Sequence, residues 1–279
     1  MILDSQCNKV YLSAKMPNES PQTFGNLTRI LDKYEVAWSL LDGTRDIWCR
    51  DFMPVQVDKG RFASFRYRPD YLLDTKENRE SITDASGIMA ALGKECDNLI
   101  ADIVLDGGNV VRCGNKVVMT AKVFEENPSI RPYHLLERLE AAFDADVIVL
   151  PWDTEELYGH SDGVCRYVDN DTILITNYRQ IDDDMDDRFR NCLKPHFSHV
   201  EELRFCGKEP GEYDWAHINW LQTDKVLVIP AFGNATDQEA LDKIEQLMPS
   251  YKGRIELCEC LDLVENEGAL NCCSWTIME

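Results

Sequence analysis

The sequence predicts an α/β fold: a five-fold pseudo-symmetric propeller of strand–turn–strand–helix–strand units, with the last blade shared by the two termini. Three observations support it. Four β-hairpins recur at near-constant spacing, a helix and a further strand follow each, and the two chain ends together supply a fifth unit.

The hairpins are MPVQV–DKG–RFASF, NVVRC–GN–KVVMT, GVCRYV–DND–TILIT and INWLQ–TD–KVLVIP. Their turns centre near Lys59, Gly114, Asn170 and Asp224, so they recur every 54–56 residues. Gly, Asn and Asp supply the tight turns between β-branched and aromatic strands. Helices are expected over Lys76–Leu92, Arg131–Phe143, Asp184–Lys194 and Asp237–Leu247; HLLERLEAAF and EALDKIEQLM carry apolar residues at i, i+3 and i+4, the spacing of one buried helical face. IDDDMDD at Ile181–Asp187 reads as an acidic helix start, favourable beside the N-terminal end of the dipole. The strands NLIADIVL, DVIVLP, HVEELRF and RIELCECL close the four units. NKVYLSA, a helix over Gln22–Lys33 and EVAWSLL form most of a fifth, and Asn271–Ile277 supplies its missing first strand. Joining the ends in this way removes a free sheet edge. Residues 1–279 are therefore read as one domain whose inner strands line a central channel.

Composition narrows the function. With 44% hydrophobic and 9% aromatic residues the chain can bury a sizeable core. Fifty acidic residues against 29 basic ones give a net charge of −21, which repels nucleic acids and anionic membranes and favours a cationic ligand. Met1 is followed by no basic and apolar leader, and no apolar run is long enough for a bilayer, so a cytoplasmic protein without a membrane partner is expected. Eleven cysteines in that setting are expected as thiols. Cys258-x-Cys260 and the adjacent Cys272–Cys273 lack zinc spacing, so neither a metal nor a cofactor is expected. Self-association into a homo-oligomer is left open.

In a repeat of this kind equivalent positions meet near the axis. Just before the first strand of each hairpin stand Asp51, Asp106, His160 with Asp162, Asn219, and Asn271 with Cys272, at intervals of 53–57 residues. Loop ends on a rigid scaffold are where chemistry gathers. The set combines a thiol nucleophile, an imidazole base and carboxylates. Asp162 is two residues from His160, which in an extended segment puts both side chains on one face. Carboxylates facing one another repel unless they hold a cation, and a guanidinium presents N–H pairs that match carboxylates bidentately. Asp51 and Asp162 clamping a guanidinium would leave its carbon open to Cys272. Cys273, as the next strand residue, would point into the blade.

DIWCRDFMP at Asp46–Pro54, LDGGN at Leu105–Asn109, GHSDG at Gly159–Gly163, INWLQTDKVLVIPAFGNATDQEAL at Ile218–Leu241 and EGALNCCS at Glu267–Ser274 resemble, in order, the signatures of the agmatine deiminase and bacterial-type peptidylarginine deiminase family. The resemblance implies the five-fold propeller of the guanidino-group-modifying (pentein) superfamily. It implies guanidinium binding by Asp51 and Asp162, acid–base work by His160, and nucleophilic attack by Cys272 through a thiouronium intermediate to a ureido product and ammonia. Asp106, where the family carries Glu, becomes a supporting carboxylate; Gly108, Asn219 and Asn271 join it as candidate substrate contacts. Asp46 and Trp48 either touch substrate or, with Arg50, brace the loop. Asn271 replaces the His that agmatine deiminases carry before the Cys, and their longer N-terminal region has no counterpart here. The expected substrate is a small cationic guanidino compound, agmatine first. A peptidylarginine deiminase, an amidinotransferase, a non-catalytic guanidinium-binding protein and a redox or zinc thiol protein are the alternatives.

Overall fold

The computed structural model describes residues 1–96, 98–207 and 211–279. They form a mixed α/β fold with five three-stranded sheets. The first holds β1 (Lys9–Ser13) and, parallel to it, β2 (Ala37–Leu41). The next four each pair a hairpin with a parallel third strand: β3 (Val55–Asp58), β4 (Arg61–Arg66) and β5 (Asn98–Val104); β6 (Val111–Cys113), β7 (Lys116–Thr120) and β8 (Asp146–Leu150); β9 (Cys165–Tyr167), β10 (Thr172–Ile175) and β11 (His199–Glu202); and β12 (Leu221–Gln222), β13 (Leu227–Ala231) and β14 (Ile255–Glu259). Strand β15 (Ser274–Ile277) returns antiparallel to β1, with Lys9 opposite Ile277, so both ends of the chain share one sheet. The first two hairpins turn on Gly60 and Gly114, with φ of 72° and 71°, where a side chain would be strained.

Each parallel connection runs through a helix whose apolar stripe covers its sheet. Leu135, Leu139 and Phe143 of the helix Pro132–Phe143 bury against Val117 and Met119, while Leu27, Ile30 and Leu31 of Pro21–Lys33 bury against Val10 and Leu12. Fully burying one such side chain contributes about 1.5–3 kcal/mol. The acidic run starts the helix Asp183–Leu193, where Asp182 caps the N–H groups of Asp184 and Met185. One expected helix divides. Thr75 caps Lys76–Glu80 and Asp84 caps Ala85–Ala91, because the intervening SITD offers hydroxyl and carboxylate acceptors that compete with helical hydrogen bonding.

A second correction bears on the site. Asn109, Gly163 and Ile218, expected to open their strands, lie in short helical segments, as does Asp51: Cys49–Phe52, Gly107–Asn109, Ser161–Gly163 and Asp214–Ile218. Cys272 lies in a turn, and the strands begin only at Val55, Val111, Cys165, Leu221 and Ser274. Local i→i−3 bonds win over pairing there, such as Asn109 N to Asp106 O at 3.0 Å and Ser274 N to Asn271 O at 3.1 Å. The segments adjoin in series, Cys49–Phe52 against Gly107–Asn109, that against Ser161–Gly163, and that against Asp214–Ile218. The turn therefore separates the two thiols, rather than strand alternation. Cys273 is fully buried and bonds Leu270 O at 3.5 Å, while Cys272 keeps partial exposure.

The first strands carry Gln56, Arg112, Arg166, Gln222 and Thr276 at intervals of 54–56 residues, all buried. Arg112 and Arg50 both donate to Thr276 Oγ1, at 3.1 and 3.3 Å. Asp4 pairs with Arg112 and lies 3.4 Å from Arg166. Three buried guanidinium groups thus gather around one carboxylate supplied by the N-terminal turn Asp4–Gln6.

Candidate active site

Two polar groups form from the register positions. In the first, the Gly107–Asn109 turn points its Gly108 N–H at Asp51 Oδ1, 3.0 Å away. His160 lies between two carboxylates, with Nδ1 3.6 Å from Asp51 and Nε2 3.2 Å from Asp106. Gly108 permits this approach: a Cβ there would lie 2.5 Å from His160 Nδ1 and 2.6 Å from Asp51 Oδ1. In the second, Asn271 Nδ2 donates to Asp162 Oδ2 at 2.6 Å. The Cys272 sulfur lies 3.8 Å from Asp162 and 3.3 Å from Asn219 Oδ1, and that same amide oxygen accepts the backbone N–H groups of Asn271 and Cys272. His160 and Asp162 therefore divide between the two groups. The same-face expectation assumed an extended segment, whereas Asp162 lies inside the Ser161–Gly163 turn.

The loop Asp46–Phe52 fixes both groups. Asp46 caps the N–H of Trp48, and the Trp48 ring packs against Gly268, where a Cβ would lie 2.3 Å from it. The buried Arg50 side chain donates to Asn271 O and Asn271 Oδ1, and its N–H donates to Cys272 O at 3.0 Å. Asn271 thus lies between Arg50 and Asp162, while Asp46, Trp48 and Arg50 brace the loop.

Burial makes this cluster electrostatically tense. Asp51, Asp106 and Asp162 are 8%, 1% and 2% exposed, and ionised carboxylates this deep are costly unless paired. Burial, reinforced by Asp106 and Asp162, pushes the Asp51 carboxyl well above its usual range in spite of His160. Burial alone would depress His160, but Asp51 and Asp106 outweigh it and raise the imidazole to about 10. Burial also raises the Cys272 thiol well above its ordinary value, with Asp162 and Asp51 adding to the effect. Asp46 is pushed up to about 7 by burial. Asp106 Oδ1 lies buried without a hydrogen-bond partner. Two carboxyl groups thus share one imidazole and a third lies beside the thiol, an arrangement short of positive charge. It would bind a planar cation and, once bound, favour the thiolate.

Several groups beside the site lie outside the repeat register. Tyr71 donates to Asp106 Oδ2 at 3.0 Å, and the Tyr158 hydroxyl bonds Glu267. Glu126, beyond Asp106, is a buried carboxyl pushed up to about 8 by burial and then by Asp106. Tyr158, two residues before His160, is the one of these that the motif's position could have drawn into view. Among the described residues no cluster of three or more His, Cys, Asp or Glu side chains could hold a metal ion, and no helix is long and apolar enough to cross a membrane.

The profile of the Porphyromonas-type peptidyl-arginine deiminase family matches residues 8–277. Among solved structures, the C. jejuni agmatine deiminase is similar with a TM-score of 0.78 at 15% identity, over 100% of this chain and 95% of that one. The Enterococcus faecalis agmatine deiminase gives 0.76 at 14%, over 100% and 95%. The Pseudomonas aeruginosa DDAH in complex with citrulline gives 0.60 at 12%, over 98% and 100%. No curated protein matches the chain. At these identities the structural likenesses speak to the fold.

Proposed function

The chain belongs to the Porphyromonas-type peptidyl-arginine deiminase family, a guanidino-group deiminase family of the pentein superfamily, and from that premise we propose that it hydrolyses a small cationic guanidino compound, agmatine foremost, to a ureido product and ammonia. The observation that carries this reading is the charge balance around the thiol, with Asp51 and Asp106 sharing the His160 imidazole and Asp162 buried beside the Cys272 sulfur. A guanidinium supplies the lacking charge in a shape that two carboxylates can grip.

Asp51 and Asp162 hold the guanidinium nitrogens, and the arriving cation favours the Cys272 thiolate, whose proton passes to water. The thiolate sulfur bonds the guanidinium carbon. One C–N bond then breaks as His160 gives its proton to the leaving nitrogen, and ammonia departs from a thiouronium. His160 next takes a proton from water, whose oxygen bonds the same carbon while the C–S bond breaks, leaving a ureido group. Asn219 orients the sulfur, and Asp106 holds His160 at Nε2. Low dielectric strengthens each pairing. The same reading takes the five sheets of this one domain as a closed propeller, supported by the adjoining turns and by the convergence of Arg112, Arg166 and Thr276. It expects no cofactor, and places the protein in the cytoplasm.

The test is a screen of agmatine, free arginine, other alkylguanidines and an arginine-containing peptide for ammonia and ureido product. Turnover of a small guanidine that Cys272→Ser loses and Cys273→Ser keeps is expected. If no compound turns over and a haloacetamidine leaves Cys272 unmodified, the deiminase reading fails.

A further inference from the structure

One flank of the site is built from segments that connect the strands. Tyr71 follows β4, and its ring stands 6.4 Å from the His160 ring. Tyr158 comes from the segment between β8 and β9, with its ring 6.0 Å from the same imidazole. The two tyrosines meet edge to face at 4.8 Å. From there the Tyr158 hydroxyl reaches Glu267, five residues before Cys272. This contact therefore spans from the imidazole side of the site to the thiol side.

One cation ties these segments together from behind. Lys122 is 2% exposed, and its Nζ lies 3.0 Å from Asp70 Oδ1, beside Tyr71. The same Nζ donates to Leu157 O at 2.8 Å, beside Tyr158. It also lies 5.4 Å from the Tyr71 ring centre and 5.1 Å from that of Trp152. A buried ammonium is stable only with such partners, so each holds the others in place. Gly159, with φ of 63°, lets the chain pass between Trp152 and Lys122, where a Cβ would lie 2.6 and 2.8 Å from them.

We propose that Tyr71, Tyr158 and Glu267, gathered through Lys122, form a size-selecting gate over the site. It admits a slender free guanidine and turns away an arginine carried within a peptide. An arginine in a peptide brings main chain on both sides of its Cα, and that main chain needs an open rim where the Tyr158–Glu267 contact crosses. A free alkylguanidine needs only a channel as wide as its methylene chain. The inference rests on the deiminase reading of the same site and adds the residues that set its substrate class.

The experiment compares kcat/KM for agmatine with that for an acetylated, amidated Gly-Arg-Gly peptide, in the full-length wild type and three variants. Tyr158→Ala removes the ring, while Tyr158→Phe removes the donor and Glu267→Met the acceptor of the bond between the two sides, each with little change of size. The wild type is expected to favour agmatine. Tyr158→Ala should narrow that preference about tenfold or more, chiefly through gained peptide turnover, and the two milder variants should narrow it by a smaller factor of the same sign. An unchanged ratio in all three variants, including a parallel loss of both activities, overturns the gate while leaving the deiminase reading intact. A wild type that prefers the peptide overturns it as well. A wild type that turns over neither compound and whose Cys272 resists a haloacetamidine overturns the deiminase reading, and the gate falls with it.

Discussion

Two buried charge clusters meet through Asn271 in this molecule, opposite in sign and each three to one. Around Arg50, Arg112 and Arg166 the chain provides its own counter-charge: Asp4 arrives from the N-terminal turn, and the two nearest guanidinium groups hold its carboxyl far below the usual range against the opposing effect of burial. Around Cys272 the signs are reversed: His160 lies against Asp51 and Asp106, and Asp162 lies beside the thiol with Arg50 across Asn271. Asn271 joins the two, with its oxygen facing Arg50 and its nitrogen facing Asp162. The arginine cluster is buried among its own side chains and is structural, whereas the carboxylate cluster keeps a partly exposed thiol and is the one open to a ligand.

The largest effect should come from unbalancing the closed cluster. Asp4→Asn leaves the buried guanidinium groups without their carboxylate, which should cost about 3–5 kcal/mol of folding free energy. Urea unfolding measures it. Because the Asp4 carboxyl is depressed in the fold, its contribution is present above the ordinary carboxylate range and is lost as the pH falls through the folded value. An Asp4→Asn protein as stable as wild type would mean that the arginine cluster does not depend on it.

The open cluster should respond in the opposite way. Asp51→Asn and Asp162→Asn each relieve carboxylate repulsion, so stability should hold or rise. Each should lower kcat/KM by about ten- to over a hundredfold, the equivalent of roughly 1.5–3 kcal/mol for a charge-assisted bond to a buried cation. Wild-type kinetics in both variants would remove the guanidinium clamp from the account.

The pH profile should show a smaller effect. Asp51 must be ionised to hold the cation, and burial has pushed its carboxyl up, so kcat/KM should climb from neutral pH into the alkaline range. His160 must carry a proton to release ammonia, and its imidazole is raised to about 10, so the falling limb should lie near there. Activity greatest below neutrality would show that the two groups are not charged as described.

The repeat was legible because its punctuation is chemical. Gly60 and Gly114 occupy positive-φ turns that the hairpin pattern required, and the 3.6-residue stripe of Leu135, Leu139 and Phe143 marks a covered sheet. The register also drew Asp51, Asp106, His160, Asp162, Asn219, Asn271 and Cys272 into one set. Strand starts were misplaced because a turn such as Gly107–Asn109 differs from a strand only in local i→i−3 bonding, which apolar alternation does not encode. Asp4, Tyr71 and Lys122 stayed out of view for another reason. They come from connecting segments outside the hairpin register, and their partners are distant in sequence, as Lys122 is from Asp70 and Leu157.

The central claim is that the Cys272 cluster is a cation site completed by the substrate. It is tested most directly by titrating agmatine into the inert Cys272→Ser protein near pH 7, in buffers of different ionisation enthalpy. The account requires saturable one-to-one binding with proton release as Asp51 ionises. That binding should weaken by about ten- to over a hundredfold in the Asp51→Asn, Cys272→Ser double variant, and the neutral ureido counterpart should bind far less. Equal affinity for the cationic and neutral compounds, or binding indifferent to Asp51, would contradict it.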